Sequence, residues 1–155
     1  MTAELGDHHD DARESPLVLI VEDDAETRHL YSQALADDGF RTDQAHNGCQ
    51  ALEKALSATP DLILTDIAVP GMDGIELCRR LRADERTSAV PVLAITGYGD
   101  RQYPVRVIDA GADHVLTKPC QVEVLLREAR RLISESRELR ARSLDTLARA
   151  QKKLS

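Results

Sequence analysis

Several short apolar runs of this chain are followed at once by side chains that could do chemistry. Three acidic residues follow the first run, and an aspartate, a threonine and a lysine follow three later runs. Taken alone, a carboxylate in such a place is usually a helix cap or a turn residue, and a lone lysine is usually solvated. In chain order the residues are Glu22, Asp23, Asp24, Asp66, Thr96 and Lys118.

Brought together, these side chains would form an acidic pocket with one ammonium group and one hydroxyl. Crowded carboxylates repel one another, and this repulsion raises the pKa of at least one of them. A divalent cation bound between them removes the repulsion. Carboxylate, carbonyl and water oxygens are the ligands that Mg²⁺ prefers. An aspartate is an adequate nucleophile toward phosphorus, and the metal, Lys118 and Thr96 could each stabilise an oxygen of the transferring phosphoryl group.

The apolar runs have the length and composition of strands that are buried on both faces of a parallel sheet. Segments with helical spacing lie between them. We predict strands at Leu17–Val21, Thr42–Ala45, Leu62–Thr65, Val92–Ile95 and His114–Thr117. We predict helices at Glu26–Asp37, Gly48–Ser57 and Gly74–Ala83, and a last helix from about Gln121.

The alternation of strand and helix predicts an α/β fold, a doubly wound five-stranded parallel sheet with helices on both faces. Sites in such sheets form beyond the carboxyl ends of the strands. One segment departs from the pattern, because Pro104 falls in the expected fourth helix and a proline in a helix interior costs about 3 kcal/mol. Proline is tolerated at the first helical position, so we predict a short helix from about Pro104 to Ala110 after a loop that includes Tyr103.

Composition and charge argue against several classes of protein. The formal net charge of -7 argues against a general nucleic-acid binder, which holds phosphates with clustered lysine and arginine. No apolar run approaches the roughly 20 residues of a membrane span. Cys49, Cys78 and Cys120 form neither a metal-binding spacing nor a disulfide framework, which favours reduced thiols and a cytoplasmic location.

The ordered set of candidate residues closely resembles the response-regulator receiver domain of two-component signalling. The resemblance spans about Pro16 to Ile133 and implies the flavodoxin-like strand order 2-1-3-4-5. It also implies a phosphoacceptor that takes a phosphoryl group from a histidine kinase or a phosphotransfer protein and signals by protein contact. The motifs that carry it are Val21–Asp24, Leu64–Asp66 with Pro70, Gly71–Gly74, Ile95–Thr96, Gly111–Asp113 and Lys118–Pro119.

The roles of the family's residues carry over one position at a time. Asp66 matches the phosphoacceptor, Lys118 the lysine that pairs with the phosphoryl group, and Thr96 the hydroxyl that moves toward it. The implied metal is Mg²⁺, for which Mn²⁺ or Ca²⁺ can substitute. Its implied ligands are Asp66, Asp23, Glu22 through a bound water, and the backbone carbonyl of Ala68. A receiver catalyses only its own phosphorylation and dephosphorylation and is not otherwise an enzyme.

Three residues beside the site are expected to have structural roles instead. Asp24, the third acid of the first cluster, is expected to cap the first helix. The peptide bond before Pro119 is expected to be cis, as it commonly is in receivers. Cys120, where the family often has phenylalanine, is expected to be a small buried apolar residue.

The sequence departs from the family where the switch normally lies. An aromatic residue three positions before the lysine is replaced by Val115, which cannot make the usual inward ring rotation. We therefore expect phosphorylation to act through the loop after Thr96 and the fourth helix, with Tyr98 or Tyr103 as the moving aromatic. Ala68 and Tyr98 offer no carboxylate or amide to orient an attacking water, which predicts slow self-dephosphorylation.

The chain divides into three parts. Residues 1–15 are expected to form a flexible acidic tail, residues 16–133 the receiver domain, and residues 134–155 a helical C-terminal extension. The extension continues an apolar stripe that a completed domain cannot bury, so a partner helix is expected. The stripe consists of Leu125, Leu132 and Leu139, spaced by seven, and then, with a shift in phase, Leu144, Leu147 and Leu154.

This stripe favours a homodimer through the C-terminal helix, with the face of the fourth helix, fifth strand and fifth helix as a second candidate surface. Docking to a kinase or another protein is the related interpretation. A frayed tail or the stub of a linker is the alternative. If the chain is complete, the resemblance implies a single-domain response regulator; otherwise it is a receiver fragment of a larger regulator or of a hybrid kinase.

Three other functions share parts of the pattern. An Asp-nucleophile phosphatase of the haloacid dehalogenase type needs a second aspartate two residues after the nucleophile, where this chain has Ala68. A pseudo-receiver that serves as a scaffold would be expected to lack an acid, the threonine or the lysine. An FMN binder of flavodoxin topology would need a phosphate-binding loop after the first strand, where the acidic run would repel the phosphate.

Overall fold

Five parallel strands form one sheet in the computed structural model, which describes residues 15–97 and 103–154. The strands are β1 at Leu17–Val21, β2 at Arg41–Ala45, β3 at Leu62–Asp66, β4 at Val92–Thr96 and β5 at His114–Thr117. Their order is β2-β1-β3-β4-β5, so the predicted fold class is confirmed. β2 begins one residue earlier than predicted, and β3 and β4 each end one residue later, on Asp66 and Thr96.

Helices cover both faces of this sheet. Within the described segments they are α1 at Ala25–Asp37, α2 at Gly48–Ser57, α3 at Gly74–Ala83, α4 at Tyr103–Asp109 and α5 at Val122–Leu154. α1 and α5 pack on one face, and α2, α3 and α4 pack on the other. Every residue of β3 and β4 is therefore buried, as expected for central strands of a doubly wound sheet.

Successive side chains of the central strands enter two separate cores, one on each face of the sheet. In β1, Val18 and Ile20 join the core under α1 and α5, while Leu19 and Val21 join the core under the other three helices. If the pairing register of β1 shifted by one residue, each of these side chains would move to the opposite face of the sheet. The shift would also place an acidic residue from the end of the strand in a hydrophobic core. The packing thus fixes where each strand ends, and with it the position of the polar residues that follow.

The loops at the carboxyl edge of the sheet lead directly into capped helices. Asp24 is the N-cap of α1, and its side chain accepts a hydrogen bond from the N–H of Thr27 at 3.0 Å, which confirms the predicted cap. Asn47 and Asp73 cap α2 and α3 in the same way. The expected cis bond before Pro119 is also present.

The fourth helix is short and begins one residue earlier than predicted. Tyr103 was expected in the preceding loop and is instead the first residue of α4. Pro104 lies in the first turn, where the backbone N–H groups have no partner within the helix, so the missing N–H of proline costs no helical hydrogen bond. Tyr98, the other candidate for the moving aromatic, lies outside the described residues, as does the acidic tail up to residue 14.

An arginine braces the amino edge of the sheet. Arg82, in the last turn of α3, donates hydrogen bonds to the carbonyl oxygens of Val90 and Gly111 at 2.6 and 2.7 Å and pairs with Asp113 at 3.0 Å. Asp113 also accepts a hydrogen bond from the N–H of Val92 at 2.8 Å. Gly111 has a φ of +121°, and a Cβ there would meet the Arg82 side chain. Arg82 and Asp113 thus pair with each other and with backbone groups at this edge of the sheet.

The last helix extends far beyond the sheet. α5 runs without interruption for 33 residues, about 50 Å at the usual rise per residue. Leu125 and Leu132 in its first half are buried, whereas Leu139 and Leu147 in its second half are 63% and 61% exposed. Even this helix is too polar to span a bilayer, and the same holds for the other described helices.

Candidate functional site

The carboxyl ends of four strands bring the candidate residues to one edge of the sheet. Asp66 and Thr96 are the last residues of β3 and β4, while Glu22 and Lys118 directly follow β1 and β5. Backbone hydrogen bonds between neighbouring strands continue for one residue beyond the strand ends. The N–H of Lys118 donates to the carbonyl of Thr96 at 2.8 Å, and the N–H of Glu22 donates to the carbonyl of Ala45 at 3.0 Å. The backbone that carries these four side chains is therefore held rigidly by the sheet.

Three carboxylates converge at this edge. Glu22, Asp23 and Asp66 each offer a carboxylate oxygen, and the three oxygens lie within 4.8 Å of one another. Glu22 and Asp66 are 3% and 8% exposed, whereas Asp23 is exposed. The cluster is thus closed on the side of the sheet and open to solvent on the side of Asp23.

Lys118 is the cation of this cluster. Its Nζ lies 2.7 Å from Oδ2 of Asp66 and 3.6 Å from Oε2 of Glu22. Burial lowers the pKa of Lys118, but the hydrogen bond that Lys118 donates to Asp66 and the charges of both acids outweigh it, so this pKa lies above its ordinary value. The lysine therefore stays charged, yet one positive charge cannot balance three carboxylates.

Glu22 shows the effect of that imbalance. Burial, a hydrogen bond with Asp66 and the charge of Asp66 raise the pKa of Glu22 to about 7. Repulsion of this kind disappears when a divalent cation binds between the carboxylates. A cluster built of oxygen ligands suits a hard cation such as Mg²⁺, so the residues present fit the metal that the sequence predicts.

The hydroxyl of Thr96 stands out among the buried polar groups. Thr96 is 1% exposed, and within the described part of the chain its Oγ1 has no hydrogen-bond partner. Thr65, in the neighbouring strand, is equally buried, but its hydroxyl donates to the carbonyl of Asp66 at 2.8 Å. Buried hydroxyls are normally satisfied, so a hydroxyl that has no partner among the described residues is unusual at the end of β4.

The segment after Asp66 is shaped around the acceptor. The N–H of Ala68 donates to Oδ1 of Asp66 at 3.1 Å and fixes the orientation of the carboxylate. The N–H of Gly74 donates to the carbonyl of Ile67 at 2.8 Å, and a Cβ on Gly74 would lie 2.8 Å from Cα of Ile67 and 3.0 Å from the Asp66 carbonyl oxygen. Only glycine lets the start of α3 approach the acceptor this closely.

One contributor was missed by the sequence analysis. Arg28, one turn into α1, donates from Nη1 to the carbonyl of Glu22 at 2.8 Å and from Nε to the side chain of Gln44 at 3.2 Å. It thereby holds the loop that presents Glu22. The sequence carries no signal for this role, because an arginine in the first turns of a polar helix reads as a solvated residue.

The positions that depart from the usual receiver pattern lie on both faces of the sheet, Val115 near α4 and Cys120 on the opposite face. Val115 is partly buried and packs on the same core as Tyr103 and Ala110. Arg106 lies over the ring of Tyr103, 5.7 Å from its centroid. Cys120 is only partly buried and packs against the other core, as a small apolar residue does. Which aromatic ring moves stays a prediction.

Comparison with known proteins identifies the family. Residues 18–130 match the response regulator receiver domain, and the chain belongs to this family. The DNA-binding dual master transcriptional regulator RpaA of Synechocystis is 41% identical over 118 residues, which are 76% of this chain and 49% of RpaA. The transcriptional regulatory protein ResD of Bacillus subtilis is 37% identical over 119 residues, 72% of this chain and 48% of ResD.

Solved structures show the same relationship. The signal receiver domain of a signal transduction histidine kinase from Syntrophus aciditrophicus has a TM-score of 0.74 and 35% identity, over 78% of this chain and 92% of that domain. The chain spans about half the length of the curated relatives that it matches. What it shares with them is the receiver domain, and a phosphoacceptor role in two-component signalling follows from that membership.

Proposed function

We propose that this chain receives a phosphoryl group on Asp66 from a histidine kinase or a phosphotransfer protein and passes the signal on by protein contact. The observation that carries the proposal is the environment of this carboxylate at the edge of the sheet. Asp66 lies 2.7 Å from the Lys118 ammonium group and among carboxylate oxygens within 4.8 Å. It ends its strand beside Thr96, whose buried hydroxyl lacks a partner in the described residues.

Each side chain has a part in the transfer. An oxygen of Asp66 attacks phosphorus, the bond from phosphorus to the donor nitrogen breaks, and the donor imidazole keeps that electron pair and takes up a proton. Lys118 then pairs with a phosphoryl oxygen instead of the free carboxylate. Thr96 donates its hydroxyl to another phosphoryl oxygen and so gains an acceptor that it does not have among the described residues.

A divalent cation completes the site. Glu22, Asp23, Asp66 and the backbone carbonyl of Ala68 would hold Mg²⁺, with Mn²⁺ or Ca²⁺ as substitutes. When bound, the cation neutralises charge on the phosphoryl oxygens during transfer. Glu22 needs to lose its proton to take part, and this couples metal binding to pH.

The phosphorylated state is expected to be long-lived. Attack of water on the acyl phosphate needs a group that orients the water, and Ala68 offers only a methyl side chain at the exposed position two residues after Asp66. The protein thus acts as a switch that stays on, not as an enzyme that turns over. An Asp-nucleophile phosphatase is disfavoured by the same residue.

Residues 16–133 would form the receiver and residues 134–155 an extension that makes contact with another protein. Two surfaces are candidates for a homodimer: the face of α4, β5 and α5, and the projecting part of α5. The relatives with twice the length support a second possibility, that this chain is the receiver of a larger regulator.

The test is phosphorylation by acetyl phosphate with Mg²⁺, followed by intact mass. Wild type should gain one phosphoryl group and Asp66→Asn none. Asp24→Asn is the matched control, since asparagine caps a helix as well as aspartate and should leave phosphorylation unchanged. Steady release of inorganic phosphate without a detectable phosphoprotein would favour the phosphatase instead, and phosphorylation of Asp66→Asn would refute the assignment of the acceptor.

A further inference from the structure

One face of α5 carries no charge from the sheet to Leu154. At 3.6 residues per turn, the residues of this face lie within about 50° of a single line along the helix. Where α5 covers the sheet, the line consists of Leu125, Ala129 and Leu132, which are buried. Beyond the sheet the line continues, in chain order, as Ser136, Leu139, Ser143, Leu147, Ala150 and Leu154, and we call Leu132 and these six residues the distal stripe.

The distal stripe reads the same in both directions. Ser143 is its centre, and leucines flank it at equal distances in Leu139 and Leu147. The next positions outward are small, Ser136 and Ala150, and the outermost are the leucines 132 and 154. A stripe with this symmetry can pair with a copy of itself running in the opposite direction, so that leucine meets leucine and small residues meet small residues about a two-fold axis at Ser143.

A parallel pairing of the same faces is excluded by the domain itself. The face that carries the distal stripe is covered by the sheet up to Leu132, which is 5% exposed. A parallel second helix would have to continue into the space that the sheet occupies. An antiparallel second helix leaves that space free, because its own domain lies at the far end of the pair.

The base of the domain offers a seat for the end of an antiparallel helix. A groove of about 510 Å³ lies where the distal stripe meets the amino edge of the sheet, and Ala89, Pro91 and Leu132 are among its lining residues. In the pairing centred on Ser143, Leu154 of the second copy lies opposite Leu132 and enters this groove. Leu154 is 88% exposed in the single chain, so the contact would bury the most exposed large apolar side chain described.

Charges beside the stripe favour the same direction. Glu135 and Lys153 lie on one flank of the distal stripe, and in an antiparallel pair equal flanks face each other. Glu135 of one copy then lies on the same side as Lys153 of the other, two residues from direct opposition and within one helical turn, and the two-fold axis repeats the pair. Within its own chain Glu135 already accepts a hydrogen bond from Arg131 at 3.1 Å, and a carboxylate can accept from both partners.

We propose that a second copy of this chain docks antiparallel along the distal stripe, with Ser143 at the two-fold axis and Leu154 of each copy in the basal groove of the other. Two helical segments of this length bury on the order of 1,200 Å², the lower end of the range for specific interfaces. The interface lies at the amino edge of the sheet, opposite Asp66. It therefore leaves both phosphoacceptor sites open and does not depend on phosphorylation.

The first test is the mass of the chain in solution. Sedimentation equilibrium between about 1 and 100 µM should show a monomer–dimer equilibrium with a micromolar dissociation constant. Leu147→Glu, which places a charge on the stripe, should weaken it at least tenfold, an effect of about 1.4 kcal/mol or more. Ala148→Glu adds the same charge one residue further on, away from the stripe, and should leave it unchanged. A wild-type monomer at every concentration would overturn the proposal, as would equal effects of the two variants.

The second test fixes the direction of the helices. In a background with Cys49→Ser and Cys120→Ser, a chain with Ser136→Cys is mixed with a chain with Ala150→Cys under mild oxidation. The antiparallel dimer predicts a disulfide between the two kinds of chain and little within either kind alone. Efficient linkage of Ser136→Cys chains to one another would show a parallel dimer and contradict the proposal. Asp66→Asn should dimerise like wild type, so a failure of the phosphoacceptor assignment is separable from a failure of this one.

Discussion

The two edges of the sheet use the same kinds of charged residue in opposite ways. At the amino edge, the Arg82 guanidinium binds carbonyl oxygens and Asp113, and Asp113 accepts a further backbone N–H. At the carboxyl edge, Lys118 lies 2.7 Å from Asp66 and 3.6 Å from Glu22, and these two acids form a cluster of three carboxylates with Asp23. There the hydroxyl of Thr96 has no partner among the described residues.

The difference separates charges that hold the fold from charges that await a ligand. A buried polar group that is fully partnered stabilises the structure, and its loss leaves other groups unsatisfied. A crowded or unpaired group costs stability until a cation or a phosphoryl group supplies the missing interaction. Substitutions at the amino edge should therefore change the free energy of unfolding, and those at the carboxyl edge should change the chemistry.

Asp23→Asn should give the largest difference between the effect on phosphorylation and the effect on the free energy of unfolding. It removes a proposed direct metal ligand, so the rate of phosphorylation by acetyl phosphate should fall by about 100-fold at moderate Mg²⁺. The free energy of unfolding should change by less than about 1 kcal/mol, since Asp23 is exposed. Rates from intact mass and urea unfolding curves measure the two effects. A large loss of stability with an unchanged rate would reverse the roles of the two edges.

Arg82→Ala should show the opposite behaviour. Removing the guanidinium leaves the carbonyl oxygens of Val90 and Gly111 and the Asp113 carboxylate without their partner, which should cost about 2–4 kcal/mol. Phosphorylation per folded molecule should be unchanged. Arg80→Ala is the control, because Arg80 pairs with Glu76 at an exposed position of the same helix, and its loss should cost less than about 0.5 kcal/mol. Equal destabilisation by both substitutions would contradict this account.

The raised pKa of Glu22 makes the carboxyl edge sensitive to pH. Between pH 4.5 and about 7 the folded, metal-free chain binds more protons than the unfolded chain. The stabilisation that comes from protonated Glu22 is therefore complete below pH 4.5, and it is lost as the pH rises through the pKa of Glu22 in the folded chain. Bound Mg²⁺ competes with the same proton, so the apparent affinity for Mg²⁺ should rise by up to about tenfold per pH unit until pH 7.

Calorimetric titration with Mg²⁺ at several pH values measures this slope. Glu22→Gln should bind Mg²⁺ more weakly and lose the pH dependence over the same range. A slope that survives in Glu22→Gln would assign the proton to another group.

Two buried threonines should give the smallest but most specific contrast. Thr87 is fully buried near the amino edge and donates from its hydroxyl to the carbonyl of Leu81 at 2.7 Å. Thr87→Val should therefore cost about 1–2 kcal/mol. Thr96→Val removes a hydroxyl without a described partner, so it should leave the free energy of unfolding unchanged or raise it by up to about 1 kcal/mol, yet it should abolish the conformational response to phosphorylation. Thermal unfolding measures the first property, and backbone NMR shifts in α4 before and after phosphorylation measure the second.

The site was predictable from the sequence because the topology does most of the positioning. Once the alternating pattern indicates a parallel sheet, every residue that follows a strand lies at one edge, and Glu22, Asp66 and Thr96 must come close. The cap at Asp24 was predictable for a local reason, since a helix needs an acceptor at its first turn.

What the sequence did not reveal depends on contacts between distant elements. Arg28 and Arg82 look like ordinary solvated residues of polar helices, and only the tertiary packing brings a buried carbonyl to each. The stripe on α5 was described from its leucines alone, which gives a shift in phase after Leu139. Including Ser143 reveals an eleven-residue period from Leu132 to Leu154, which a straight helix keeps on one face.

The most direct test of the whole account is to locate the phosphoryl group within the chain. After reaction with acetyl phosphate, borohydride reduction converts an aspartyl phosphate to homoserine, and peptide mapping then identifies the residue. We predict conversion at Asp66 alone, dependent on Mg²⁺ and abolished by a chelator. Conversion at another carboxylate, or the same yield without a divalent cation, would contradict the claim that the strand ends form one metal-assisted phosphoacceptor site.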